Sequence, residues 1–527
     1  MRQGYLALVL HAHLPFIRHP PGDGALEQQW LFQAMTESYI PLLRVLEGLA
    51  QDGIDFQLTL GLSPTLVAML RDPFLQQRYE AYLTRSIELA ARESRHGDRD
   101  AHRRSLAAHY AREFRCIRAT WESHNRDLVA AFRQLAAADY LDIITCAATH
   151  GYLPLLRAHP EAVRAQIAVA CQHHWQHFGQ RPSGIWLPEC GYYEGLERVL
   201  AQAGLRYFIT EAHGLRHARP QPPAGIAAPV LTPAGIAAFG RDPQAAAQVW
   251  SAQEGYPGDP AYREFYKDWG WEAPEREIAP YLLPDGSRQP LGLKYHRITG
   301  RGVDLGAKAR YDPDRAQARA AEHARHFVGQ RARQLRQWHC SSPHPPLVVA
   351  PYDAELFGHW WYEGPQFLDG VLRACHRHAG GCRPIHLHDY LRAHPTHPVA
   401  QPAQSSWGER GFHARWLDGS NAWLHRHLHA AAERAITLAQ HEPADELAQR
   451  AHNQAARELL LAQASDWAFI LRAGTVTTYA ERRARSHLQR FHKLARDLQT
   501  ERVEKDWLAH LEALDNLFPQ LDYRIYR

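Results

Sequence analysis

Cysteine is scarce: seven in 527 residues, at positions 116, 146, 171, 190, 340, 375 and 382. The number is odd and no CxxC pair occurs, so neither a disulfide framework nor a zinc ribbon is expected, and reduced thiols in a cytoplasm are. No run of about 18 apolar residues occurs anywhere, so no membrane span is expected. The first residues lack a basic region followed by an apolar segment and a small-residue cleavage site, so secretion is not expected either. An excess of one charge is also missing. Sixty basic against 56 acidic residues leave a formal +4, too even a balance to argue for nucleic acid or a membrane surface as partner. No glycine-rich phosphate loop follows the first strand candidate, which counts against a nucleotide-binding open sheet.

What is present is an ordinary globular composition, 45% hydrophobic and 22% charged, on a chain long enough for two or three domains. The 35 histidines are scattered, many in Arg- and Ala-rich helical stretches where a solvated face is the simplest reading. The chain is organised around Val348-Val349-Ala350-Pro351-Tyr352-Asp353-Ala354-Glu355-Leu356-Phe357-Gly358-His359-Trp360-Trp361. An apolar run of this kind reads as a buried parallel strand, and active sites lie where such strands end. Tryptophan faces stack on sugar rings and carboxylates cut glycosidic bonds, so the stretch points to carbohydrate chemistry.

Similar apolar runs with polar tips recur at 5–10, 56–60, 141–146, 184–187 and 205–210, with shorter strand candidates at 236–239 and 248–250. The first ends in His11 and His13, two apart and therefore on one side of a strand. That spacing suits metal ligands, imidazoles on a sugar, or two satisfied structural histidines. Between 71 and 138 the pattern is helical, and Leu106, Tyr110, Phe114, Ile117 and Trp121 form a stripe expected to be core. Residues 214–235 read as loop, Pro284-Asp285-Gly286-Ser287 as a hairpin-type turn, and 316–338 as a charged helix. Beyond about 400 the strand signal disappears and helix dominates, with Ser465-Asp466-Trp467 as a polar interruption. Alternating strand and helix with polar strand tips argues an α/β barrel. The expected division is a catalytic barrel over 1–400, carrying a helical insertion at about 71–138 and an aromatic-rich excursion at about 255–300, followed by an all-helical part over 401–527.

Glu189 and Asp353 are the two strand-end acids that glycosidic-bond chemistry requires. One must be ionised to attack and the other must keep a proton, which needs burial or a like charge beside it. Spacing alone does not say which is which.

His11-Ala12-His13-Leu14-Pro15, Gly61-Leu62-Ser63-Pro64, Gly184-Ile185-Trp186-Leu187-Pro188-Glu189 and the 350–361 stretch resemble the ordered signature motifs of glycoside hydrolase family 57. The likeness extends through Ser465-Asp466-Trp467-Ala468-Phe469 to Ala480-Glu481-Arg482-Arg483 and is strongest to the 1,4-α-glucan branching enzymes, whose members include proteins first labelled α-amylases. The resemblance implies a distorted (β/α)7 barrel, a retaining mechanism in glycogen-like glucan synthesis, an α-1,4-glucan substrate, and no metal or organic cofactor. It implies Glu189 as nucleophile and Asp353 as general acid/base, with carboxyls roughly 5 Å apart. It further implies Arg241, Gly258, Trp407 and Asp466 as glucan contacts, and His11, His13, Trp30, His150, Trp250, Trp360 and Trp416 as residues lining the site. Glu355 is expected to support the site rather than react.

One departure stands out. Many branching members carry a long loop with a Tyr just before the segment matching Arg241-Asp242-Pro243, where this chain has the short, Tyr-free 229–235. With that lid shortened, a notable hydrolytic side activity is expected. The alternatives are an α-amylase-type hydrolase using the same acids, a metal-dependent barrel enzyme such as a deacetylase with His11 and His13 as ligands, and a non-catalytic glucan-binding module. Sequence leaves the oligomeric state open.

Overall fold

The computed structural model describes residues 4–19, 26–97, 99–251, 254–283, 285–339, 344–377 and 381–527. Seven parallel strands carry the architecture: β1 (Tyr5–Ala12), β2 (Leu58–Leu62), β3 (Leu141–Ile144), β4 (Gly184–Trp186), β5 (Tyr207–Thr210), β6 (Ala237–Gly240) and β7 (Leu347–Asp353). β1 lies between β2 and β7, with His11 opposite Gly61 on one side and opposite Asp353 on the other. β2 pairs with β3, β4 with β5, and β5 with β6. Two narrow seams close the ring. Trp186 N donates to Thr145 O at 2.9 Å, joining β3 to β4, and Asp242 N donates to Val349 O at 2.8 Å, joining the end of β6 to β7. The result is the expected distorted seven-stranded α/β barrel.

Side-chain alternation explains where function can sit. Ala7 and Val9 pack in the barrel interior with Ile144, Trp186, Ile209, Phe239 and Val349, while Leu6, Leu8 and Leu10 join the core beneath the helices. His11 continues the inward face of β1, and Asp353 continues that of Val349 on β7. The interior is therefore apolar at its base and polar at the carboxyl end of the strands.

The helical stretch before β3 forms α1 (Pro73–Arg95), α2 (Ala101–Ser123) and α3 (Leu128–Ala137), and its aromatic stripe is buried as expected. α4 (Pro313–Trp338) and α5 (Gly364–Arg377) flank β7. The later part of the chain forms α6 (Ala422–Ala439), α7 (Glu446–Ala462), α8 (Ser465–Ala473) and α9 (Thr477–Gln499). One apolar core runs from the barrel strands through α1–α3 to α6–α9.

Three sequence expectations change. The strand proposed at 248–250 is the end of a helix, Pro243–Trp250. Asp242 caps it by accepting from Ala245 N at 2.7 Å, with Pro243 at its first position, and this start signal outweighs the β-preference of Val249 and Trp250. Within the 214–235 loop, Val230–Leu231 pairs antiparallel with β6, making 229–235 one arm and the turn of a hairpin. That turn precedes Ala237 and so lies at the start of β6, whereas Arg241 follows its end. The stretch cannot serve as a lid over Asp353, and the hydrolytic side activity expected from a shortened lid loses its structural basis. Of the turn at 284–287, Pro284 lies outside the described residues; Gly286 N donates to Leu283 O at 2.8 Å.

The six described cysteines are free, and Cys340 lies outside the described residues. Among the described residues no helix is long and apolar enough to cross a membrane.

Candidate active site

β4 ends at Trp186, and a tight turn over Pro188–Cys190 follows. In it Glu189 and Cys190 take left-handed conformations, with φ of 61° and 51°. Non-glycine residues hold such angles only where the surroundings enforce them, at about 1–3 kcal/mol each. Trp407 supplies much of the enforcement. Its backbone N donates to Glu189 O at 3.0 Å and its indole Nε1 to Glu189 Oε2 at 2.6 Å. Ser465, which opens α8, reaches Glu189 Oε1 at 3.5 Å. Burial pushes the Glu189 carboxyl up to about 7, opposed by the Trp407 bond and reinforced by the Asp466 charge.

Asp353 closes β7. Burial holds its carboxyl well above the usual range, and the charges of Glu355 and Glu189 push the same way against Arg241. Both acids stand at the carboxyl ends of barrel strands, Glu189 after β4 and Asp353 on β7. Arg241, just past β6, donates to Glu211 Oε2 at 3.1 Å and sets its guanidinium 5.3 Å from the Trp407 ring centre.

The three histidines form a layered floor. His13 stacks on His150 with ring centres 3.8 Å apart, and His11 lies on Trp186 at 4.8 Å. His13 Nε2 donates to Asp466 at 3.1 Å, and its Nδ1 accepts from Ser63, the residue that caps the helix after β2. A second chain runs from Glu189 to Ser465, to His150 Nδ1 at 2.8 Å, and from His150 Nε2 to His11 Nε2 at 3.1 Å. A carboxylate only accepts, so the donors along this chain are Ser465 O–H, His150 Nδ1–H and His11 Nε2–H. His11 Nδ1 is then a bare acceptor, buried and without a hydrogen-bond partner among the described residues. Burial holds both His11 and His150 far below the ordinary imidazole value, so both are neutral. Metal-donor atoms come within 4.8 Å of one another in His11–Cys146–His150 and in His13–His150–Asp466; a metal in this region would use these groups.

The residues singled out in the sequence thus fall into sets. Glu189, Asp353, His11, His13, His150, Arg241, Trp407 and Asp466 converge. Trp250 and Trp360 pair at 5.9 Å, with Trp360 43% exposed. Trp30 packs edge-on to Tyr479, whose ring also meets that of Trp467, the neighbour of Asp466. Trp416 is buried behind Tyr152, stacked at 4.3 Å, and presents no free face. Gly258 is the exposed end of a turn, Tyr256–Gly258, whose Tyr256 is buried, beyond the helix that carries Trp250. Sequence reasoning did not find Tyr39, which donates a very short hydrogen bond to Glu355 Oε1, nor Glu211 as the partner of Arg241. Only the position of Glu211 at the tip of β5 hinted at its role; nothing in the local pattern marks Tyr39.

The family model described as glycosyl hydrolase family 57 matches residues 7–401, and that described as the C-terminal region of 1,4-alpha-glucan branching enzyme matches 427–526. A 1,4-alpha-glucan branching enzyme of Thermococcus kodakarensis is 35% identical over 98% of this chain and 77% of its own. Among solved structures, the alpha-amylase AmyC of Thermotoga maritima is 40% identical with a TM-score of 0.93, covering 100% of this chain and 99% of that one. A branching enzyme of the same glycoside hydrolase type from Pyrococcus horikoshii is 33% identical with a TM-score of 0.88, covering 99% and 96%.

Proposed function

We propose, for a chain that belongs to glycosyl hydrolase family 57, that it is a retaining 1,4-α-glucan branching enzyme. The observation that carries this reading is the pair of partly buried acids at the ends of β4 and β7, framed by Trp407, Ser465 and Asp466. Its likeness to branching enzymes over nearly the whole chain supports the choice of reaction.

In this reading a Glu189 oxygen attacks the anomeric carbon as the C1–O4 bond breaks, and Asp353 gives its proton to the departing O4. Asp353, now a carboxylate, takes the proton of an incoming 6-hydroxyl. That oxygen displaces Glu189 and leaves an α-1,6 link. The raised carboxyl of Asp353 suits the donor, while the Trp407 and Ser465 donors favour the anionic form of Glu189. Arg241 and Asp466 bind the glucan, His11, His13 and His150 offer neutral hydrogen-bonding groups, and Trp407, Trp250 and Trp360 offer ring faces. Gly258, Trp30 and Trp416 shape the surroundings. No metal takes part, and full turnover after exhaustive chelation is expected. Residues 1–400 and 401–527 act as barrel and helical partner, and glycogen-like glucan in a cytoplasm is the setting.

The experiment is incubation with amylose, followed by proton NMR for α-1,6 linkages and a reducing-end assay. Branch signals exceeding new reducing ends are expected, and Glu189→Gln and Asp353→Asn each lose at least about a hundredfold in rate. New reducing ends without branches would instead favour an α-amylase-type hydrolase, the reading supported by 40% identity to AmyC.

A further inference from the structure

The catalytic-acid loop has a partner the reaction scheme does not use. Between two α-helical segments the chain widens into one π-helical turn, Met35–Tyr39. Such turns occur mostly as local bulges and often at functional sites. This one presents three consecutive side chains to the residues after Asp353. Glu37 Oε2 meets His359 Nδ1 at 2.6 Å. Ser38 Oγ donates to Glu355 O at 3.3 Å and accepts from His359 N at 3.1 Å. Tyr39 O–H donates to Glu355 Oε1, which also accepts His13 N at 3.1 Å. The backbones meet as well: a Cβ on Gly358 would stand 1.7 Å from Glu37 O, so the loop lies directly on the turn.

We propose that the π-turn is the positioning element of the acid loop, and that Tyr39, by donating to Glu355, decides which of two neighbouring carboxyls holds the shared proton. Glu355, buried, and Asp353, partly buried, are two residues apart and of like charge, so one proton between them is the stable state. Two donors, Tyr39 O–H and His13 N–H, converge on Glu355 Oε1 and favour its anion. Among the described residues Asp353 has no such donor, and it faces the charges of Glu355, Glu189 and Arg241. The proton therefore rests on Asp353, where leaving-group protonation needs it. Tyr39 is itself held neutral by burial and by the Glu355 and Asp353 charges. With Tyr39→Phe, Glu355 loses its stronger donor, the proton passes to Glu355, and Asp353 is left ionised and unable to act as acid.

The proposal rests on Asp353 being the general acid, so the test separates the two. Tyr39→Phe, Glu355→Gln and Asp353→Asn are each assayed on amylose and on a maltooligosyl fluoride, whose leaving group needs little protonation. The expected result for Tyr39→Phe is a loss of about tenfold on amylose and under about twofold on the fluoride, with KM unchanged. Its alkaline limb in kcat/KM moves to lower pH. Glu355→Gln, which removes the neighbouring charge but keeps an acceptor for Tyr39, moves the alkaline limb the same way. Equal losses on both substrates with an unmoved alkaline limb would overturn the positioning role. If Asp353→Asn itself fails to discriminate the two substrates, the acid assignment fails, whatever Tyr39 does.

Discussion

Glu189 combines a left-handed backbone with a carboxyl that burial drives toward neutrality; the Trp407 backbone N–H helps hold the first, and its indole opposes the second. Trp407→Phe keeps the ring but removes the 2.6 Å bond that favours the anion. The Glu189 carboxyl then rises above about 7, so the acidic limb of kcat/KM shifts to higher pH, measurable as a displaced profile with unchanged fold by circular dichroism. The same burial has a stability consequence. Because the folded Glu189 binds its proton more tightly than the unfolded one, stability falls as pH rises from about 4.5 through about 7. Above that window the penalty is on the order of 3–4 kcal/mol. Glu189→Gln removes it, so the variant's Tm should exceed the parent's at pH 8 and match it near pH 4.5. An equal Tm difference at both would contradict the assignment.

At the level of elements, the π-turn and the loop after β7 are joined by side-chain and backbone contacts over 37–39 and 355–359. Gly358 has φ of 118°, a conformation side chains rarely adopt, and has no room for a Cβ against Glu37 O. Gly358→Ala should lower stability by about 3 kcal/mol or more and reduce turnover further than the stability loss explains, read by denaturant unfolding beside kcat. This is also where sequence reading stops. The seven strands were legible because each is buried on both faces and reads as an apolar run, and Asp353 and Glu189 were legible because they end such runs. The π-turn was not: its 35–39 residues continue an ordinary helical pattern, and only packing against a loop more than 300 positions away selects the wider turn. The 229–235 stretch shows a related limit. It is close to Arg241 in sequence, but a strand lies between them, and residues before and after a strand occupy opposite ends of a barrel.

Over the whole molecule the site belongs to no single part. The barrel supplies Glu189, Asp353, Arg241 and the histidines, and the later segments supply Trp407, Ser465 and Asp466. The Asp466 charge both binds His13 and raises Glu189. Asp466→Asn should therefore move the acidic limb of kcat/KM to lower pH, opposite in sign to Trp407→Phe, while weakening glucan binding through loss of a polar contact. An unmoved acidic limb would show that the Asp466 charge does not set the state of Glu189.

The dependence of Glu189 on Trp407 and Ser465 also imposes an order in time. Synthesis proceeds from the amino end, and these partners follow Glu189 by 218 and 276 positions. At about 5–20 residues per second, tens of seconds separate the emergence of the acid from the emergence of the groups that orient it. A nascent chain long enough to have formed β4 still lacks an oriented Glu189. Competence therefore arrives late, after residue 466 has left the ribosome, so a growing chain does not remodel glucan near the site of its own synthesis.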